Sequence, residues 1–299
     1  MWRARQSTPE HTMPNVESRT EKKSTRPTKT VAKTDTREKH LTAAPMRAHR
    51  AGSFVWLELR TPDLERAFDF YAHVVGWTKS EMPMGDFTYT MLHAGDAPIG
   101  GLLPTDDAHA SFLSYLSVDD VDARMKQCAR VGAVVVEHAF DVPTVGRMAV
   151  VKTPDGAPLS LFKSESGDDD ERLRAGAPSW FEYWSTDVKS ALRFFADGLS
   201  QEGVSMDMGG APYHVVHAPG VQATGKEGGV FGVMPAPEGV TSRIVPYVQV
   251  DDIDAAIARA LAHDGVVLVP ALDIIDVGRI AVLCDPQGGT FGLHQPPVR

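Results

Sequence analysis

Two short stretches carry the residues most able to do chemistry. Trp56-Leu57-Glu58-Leu59 is followed by Arg60, and Trp180-Phe181-Glu182-Tyr183 is followed by Trp184. Side chains alternate across a strand, so Trp56, Glu58 and Arg60 share one face, as do Trp180, Glu182 and Trp184. An indole beside a carboxylate offers a flat surface for an aromatic ligand and a charge for a cation. A carboxyl in apolar surroundings can also have its pKa raised and serve as an acid or base. Glu58 and Glu182 are therefore the candidate catalytic residues. The same residues would equally serve a closed core, with each Glu bonded to backbone. Arg147 and Arg279 each follow Val-Gly at the start of a strand. Strand parity turns them away from Met148 and Val150, toward a structural bond with Asp141 or Asp273. His93 and His217 recur before Ala and read as surface or strand-end residues. No nucleophile elbow, phosphate-binding glycine loop or Cys/His pair is present.

Those two stretches belong to an internal duplication. Trp56 and Trp180 are 124 residues apart, and the same offset takes Tyr89…His93-Ala94 to Tyr213…His217-Ala218. Asp141…Val145-Gly146-Arg147 returns as Asp273…Val277-Gly278-Arg279 at an offset of 132, the difference fitting a longer loop around Pro219 to Gly228. Two related domains follow, 51–164 and 178–299, joined by an acidic linker over 165–177 that reads as solvated. Each domain is itself halved. A strand over 54–60 leads to an Asp63 N-cap and apolar residues at helical spacing (Leu64, Ala67, Phe68, Tyr71, Val74, Val75). Strands near 77–81, 87–93 and 98–103 complete the first cycle. Phe112–Val118, a helix from Asp120, and strands near 133–137, 147–152 and 158–163 form the second. Helices from Asp187 and Asp252 repeat the scheme. The fold class is α+β, with strand-helix-strand-strand-strand modules whose helices leave one sheet face free to curve.

Composition narrows the function. Of the 299 residues, 1–50 hold twelve basic and five acidic side chains, while the rest hold 18 and 34. The body is thus acidic at −16, which disfavours a nucleic-acid-binding core. The tail, at +7 and poor in large aliphatic residues, is expected to be disordered and lacks the apolar core of a secretory signal. Met46 would make a compact start. Only Cys128 and Cys284 are present, so neither a disulfide framework nor a four-cysteine zinc site is available. No apolar run reaches the ~18 residues of a membrane span. These features point to a cytoplasmic protein with no membrane or nucleic-acid partner, either a monomer or a weak homodimer.

Phe70-Tyr71…Gly76-Trp77, with the turns Thr153-Pro154-Asp155-Gly156 and Asp285-Pro286-Gln287-Gly288, resembles the vicinal oxygen chelate superfamily of glyoxalases, bleomycin-resistance proteins and extradiol dioxygenases. The likeness covers nearly all of 53–296; domain 2 departs where Gly-Trp becomes Ser200-Gln201. It implies tandem domains, each two modules forming a curved mixed sheet around a cup, often with a central divalent metal. The ligand positions it implies hold Trp56, Leu113, Ser160 and a residue near Gly100 in domain 1. In domain 2 they hold Trp180, Val245, Gly292 and a residue near Gly229. None is a usual ligand, so no metal or other cofactor is expected. The implied cup faces combine Trp56, Glu58, Arg60, Tyr115 and Ser160 in one domain with Trp180, Glu182, Trp184 and Tyr247 in the other. The resulting expectation is a metal-free protein that binds a small cationic or aromatic molecule, as bleomycin-resistance proteins do. The alternative is a lyase or oxygenase with displaced ligands, or with Glu58 or Glu182 as acid/base.

Overall fold

Four aspartates set the helix starts. Asp63, Asp120, Asp187 and Asp252 each accept a hydrogen bond from the amide three residues on, at 3.1, 2.9, 3.0 and 3.0 Å. Such a cap contributes about 1 kcal/mol and ends the preceding strand cleanly. The computed structural model describes residues 48–85, 87–168, 174–207, 212–222 and 225–297. The expected disorder of the tail falls outside these residues, save 48–50.

In the first half, β1 (Phe54–Thr61), α1 (Leu64–Val75), β2 (Thr78–Met84), β3 (Phe87–Ala94) and β4 (Ala97–Pro104) form one module. β5 (Ser111–Ser117), α2 (Val121–Arg130), β6 (Val134–Val142), β7 (Gly146–Lys152) and β8 (Pro158–Ser164) form the next. The second half repeats this with β9 (Pro178–Ser185), α3 (Val188–Arg193), β10 (Gly203–Met206), β11 (Tyr213–His217) and β12 (Gly229–Pro235). It closes with β13 (Arg243–Gln249), α4 (Ile253–Ala262), β14 (Val266–Ile274), β15 (Gly278–Cys284) and β16 (Thr290–Gln295). No helix among the described residues is long and apolar enough to cross a membrane.

The sheets run β2-β3-β4-β1-β5-β8-β7-β6 and β10-β11-β12-β9-β13-β16-β15-β14. β1 pairs in parallel with β4 and antiparallel with β5, so the two modules of one half share a sheet and therefore a cup. The chain is thus a pair of tandem α+β domains of the expected type. Alternation along β1 sends Leu57 and Leu59 to the helical side, where both are fully buried. That side forms a common core with the other domain. Phe70, Tyr71 and Leu102 of the first domain pack with Val248, Ile253, Phe291 and Leu293 of the second. Phe54, Leu116 and Leu161 likewise pack with Phe181, Phe195 and Phe231. The helices therefore lie between the backs of the two sheets, and the cups open on the far sides.

Two local departures have physical causes. α1 ends at Gly76 in the left-handed region (φ 76), which lets the chain turn at once into β2. The equivalent stretch after α3 widens into a π-turn over Phe194–Gly198, and Ser200 takes the positive φ of 57. Trp77 and Gln201 occupy the position after this turn and do one job with different chemistry. Trp77 Nε1 donates to Gly176 O (2.7 Å), and Gln201 Nε2 donates to Gly52 O (2.9 Å). Each thereby ties its domain to the turn preceding the other domain's first strand. The acidic linker is also less solvated than its composition suggests, since Asp168 is buried and accepts bonds from Ser117 Oγ and the Arg50 amide, both at 2.6 Å.

Candidate functional site

The cup side of each sheet carries the same Trp–Tyr and Tyr–Glu hydrogen bonds, which join into one chain only in the second. In the first cup, Trp56 Nε1 donates to Tyr89 Oη (3.0 Å), and Tyr115 Oη donates to Glu58 Oε2 (2.9 Å). In the second, Trp180 Nε1 donates to Tyr213 Oη (2.9 Å), which donates to Glu182 Oε1 (3.2 Å). Tyr247 Oη donates to Glu182 Oε2 at 2.7 Å. The glutamates lie on the floor, 3 % and 6 % exposed, while Trp56, Trp180, Tyr89 and Tyr213 are only half-buried. Trp184 and Tyr247 are buried around Glu182, and Ser160 is fully buried beside Tyr115 with no hydrogen-bond partner for its hydroxyl.

Tyr89 and Tyr213 were visible in the sequence only as markers of the duplication. What brings them into the cups is glycine on the adjacent strand. A Cβ at Gly101 would stand 1.8 Å from the Tyr89 hydroxyl, and one at Gly232 would stand 2.0 Å from that of Tyr213. The bare strand lets each phenol lie flat and reach the indole. Recurrence of Tyr together with Gly in the next strand is the signal that would have found them.

The domains part company beside the glutamates. Arg60 Nε donates to Glu58 Oε1 at 2.8 Å, whereas Trp184, its counterpart, donates an indole N–H to Glu182 Oε2 at 3.1 Å. The first carboxylate is neutralised by a cation and the second is not. Burial accordingly pushes the Glu182 carboxyl above the usual carboxylate range, against the bonds from Tyr247, Trp184 and Tyr213 that favour its charged form. Glu182 therefore holds its proton in the folded chain at pH values where the unfolded chain has released it. Its contribution is complete below the unfolded pKa and declines as pH rises through the folded one. Glu182→Gln should reduce that decline and cost under about 1 kcal/mol at neutral pH; Asp285, also raised by burial, keeps part of the slope. Glu58→Gln should cost about 1–2 kcal/mol, because Arg60 loses an anionic acceptor but, at 37 % exposure, recovers water. Urea midpoints across pH 4–8 measure both.

Strand register revises the family's metal positions. Gly101 and Gly232, not Gly100 and Gly229, stand beside Glu58 and Glu182; a Cβ at Gly100 would meet Leu57 on the opposite face, and Gly229 pairs with His217. The cup floors thus present Trp56, Gly101, Leu113 and Ser160, and Trp180, Gly232, Val245 and Gly292, around one engaged glutamate each. A divalent ion wants three or more nitrogen or oxygen donors. These sets do not fit one.

The remaining candidates point elsewhere. Arg147 and Arg279 face the helices, binding Asp122 and Asp254 (2.6 Å each) as well as Asp141 and Asp273. His217, read from sequence as a surface or strand-end residue, is fully buried at the end of β11, with Nε2 on Glu227 O (3.2 Å). His93 stays at a strand end, its Nε2 2.8 Å from Ser80 Oγ.

Residues 53–161 match the family model of the glyoxalase/bleomycin resistance protein/dioxygenase superfamily. CFP32 of Mycobacterium tuberculosis, whose name classes it among the glyoxylases, is 30% identical over 258 residues, 83% of this chain and 96% of that protein. The chain belongs to this superfamily. The anthracycline biosynthesis protein DnrV of Streptomyces peucetius is 27% identical over 81% of this chain and 92% of its own length. Among solved superfamily structures, the Mn(II)-bound glyoxalase of Novosphingobium aromaticivorans aligns with TM-score 0.58 and 16% identity, over 82% of each chain. An extradiol ring-cleaving dioxygenase from B. fuscum aligns with TM-score 0.59 and 15% identity, over 86% of this chain and 74% of that one. At such identities they share the superfamily fold.

Proposed function

We propose that the cups bind flat aromatic small molecules against their Trp–Tyr–Glu floors, without a divalent metal. The observation that carries this is the duplicated Trp–Tyr hydrogen bond, which holds a partly buried indole and phenol beside a buried glutamate in each cup. Aromatic walls with a few oriented polar groups suit a small-molecule pocket. The charge arrangement supports an aromatic ligand over a cationic one, since Glu58 is already paired with Arg60 and burial favours a neutral Glu182. The relationship to an anthracycline biosynthesis protein supports the same class.

Fluorescence and thermal-shift titration with an anthracycline tests this. Trp56→Ala and Trp180→Ala should each weaken binding at least tenfold in their own cup, at a smaller stability cost than a fully buried tryptophan because each indole is only partly buried. Unchanged affinity with a core-sized loss of about 3–5 kcal/mol would assign the indoles to packing alone. Copurifying metal lost in Glu58→Gln would overturn the metal-free reading. Chemical turnover of the ligand that disappears in Glu182→Gln would make the second cup an enzyme site instead.

A further inference from the structure

On the helical side, remote from both cups, three metal-binding side chains from the two domains converge. Asp69 and His73 lie one turn apart on α1, and His263 is the C-cap residue of α4. The imidazole rings stack with centroids 4.1 Å apart and planes 24° from parallel. His73 Nδ1 is 2.8 Å from the Asp69 carbonyl and 3.4 Å from its Oδ1, and His263 Nδ1 is 3.9 Å from Oδ2. One donor atom from each of the three lies within 4.8 Å of the others. Among the described residues, no other trio of His, Cys, Asp or Glu comes so close together.

The backbone beneath this cluster is fixed, while the side chains touch mainly one another. Arg259 of α4 donates to His73 O (2.8 Å) and Val74 O (2.9 Å), locking the helix pair. Phe70 is buried between the cluster residues in sequence and packs against Phe291 of the other domain. Asp69 and His73 are exposed and His263 is half-buried, and their donor atoms already lie within 4.8 Å of one another, the neighbourhood from which a zinc ion takes ligands at ~2.0–2.2 Å. The neighbouring charges are mixed: Arg66, 3.9 Å from Asp264, and Arg259. We propose that Asp69, His73 and His263 form a divalent-cation site that staples the first domain to the second. Two imidazoles and one carboxylate select zinc, nickel or copper over magnesium or calcium, and leave positions for water. A cation held only by the folded pair of helices stabilises the chain in proportion to its saturation.

The test is calorimetric titration of the full chain with zinc chloride after removal of bound metal, alongside thermal unfolding. One equivalent should bind in the micromolar range, raise the unfolding midpoint by several degrees, and show no counterpart with magnesium. His73→Ala and His263→Ala should each weaken zinc at least tenfold, and the double variant should lose the midpoint shift. Because both side chains are accessible, these variants should keep the metal-free midpoint. Glu58→Gln and Glu182→Gln should bind zinc normally, which separates this site from the cups. Zinc bound equally well by the double variant, or no binding at 100-fold excess over protein, would overturn the proposal.

Discussion

Replacing Asp155 with alanine is expected to destabilise the protein by about 3–5 kcal/mol, although the residue lies in a surface turn between β7 and β8. Its carboxylate accepts hydroxyl hydrogen bonds from Thr153 (2.8 Å), Ser185 (2.6 Å) and Ser242 (2.7 Å), and another from Tyr183. Three of those donors belong to the second domain. Hydrogen bonds to a charged acceptor contribute about 1.5–3 kcal/mol each, though not additively, and the fully buried Tyr183 would be left with fewer partners. Burial acts to raise the Asp155 pKa, but the hydroxyls of Ser185, Tyr183, Ser242 and Thr153 together hold it below the usual range. Its stabilisation is therefore complete above the unfolded carboxylate pKa and is lost as pH falls through the folded value. A urea midpoint lowered without change in slope, with a flatter acid limb, is the expected signature. A loss below about 1 kcal/mol would mean that the clamp contributes little.

The matching turn in the second domain clamps the first by another route. Asp285 accepts from Tyr71 Oη (2.9 Å), a residue of α1, whereas Tyr183 lies on strand β9. Asp285 stands at the position of Thr153, and Gln287, at that of Asp155, accepts instead from Thr61 Oγ1 (2.9 Å) and the Asp63 amide (3.0 Å), so both the hydroxyl and its target have changed. This shows what the sequence could reveal. Helix caps, alternation and the repeat are local patterns, and they placed the modules and put Trp56, Glu58 and Arg60 on one face. The contacts of Tyr89 and Tyr213 depend on which residue of the neighbouring strand is glycine, a matter of register between strands. Asp168 looked solvated because its neighbours are acidic; its burial depends on Ser117 and on the Arg50 amide more than a hundred residues upstream. The π-turn after α3 likewise has no periodic signature.

Trp77→Ala is the other substitution with a large expected effect, about 3–5 kcal/mol for a tryptophan removed from a core. The indole is 2 % exposed, stacks on Tyr71 at 4.7 Å and 19°, and donates to Gly176 O at the entry to the second domain. Its removal opens a cavity, loosens the phenol that reaches Asp285, and leaves a carbonyl of the other domain short of a donor. Since the two domains share both of their large cores, they should unfold together. Calorimetry should show one transition, shifted down and undivided. Two resolved transitions would instead show that each domain is stable without its partner. The cups lie on the opposite faces of the sheets, so ligand affinity in Trp77→Ala should stay within about twofold of the parent below the transition. Trp56→Ala should behave in the reverse manner, keeping most of the stability and losing the ligand. The same residue type, placed on the two sides of one sheet, then separates what holds the domains together from what they hold.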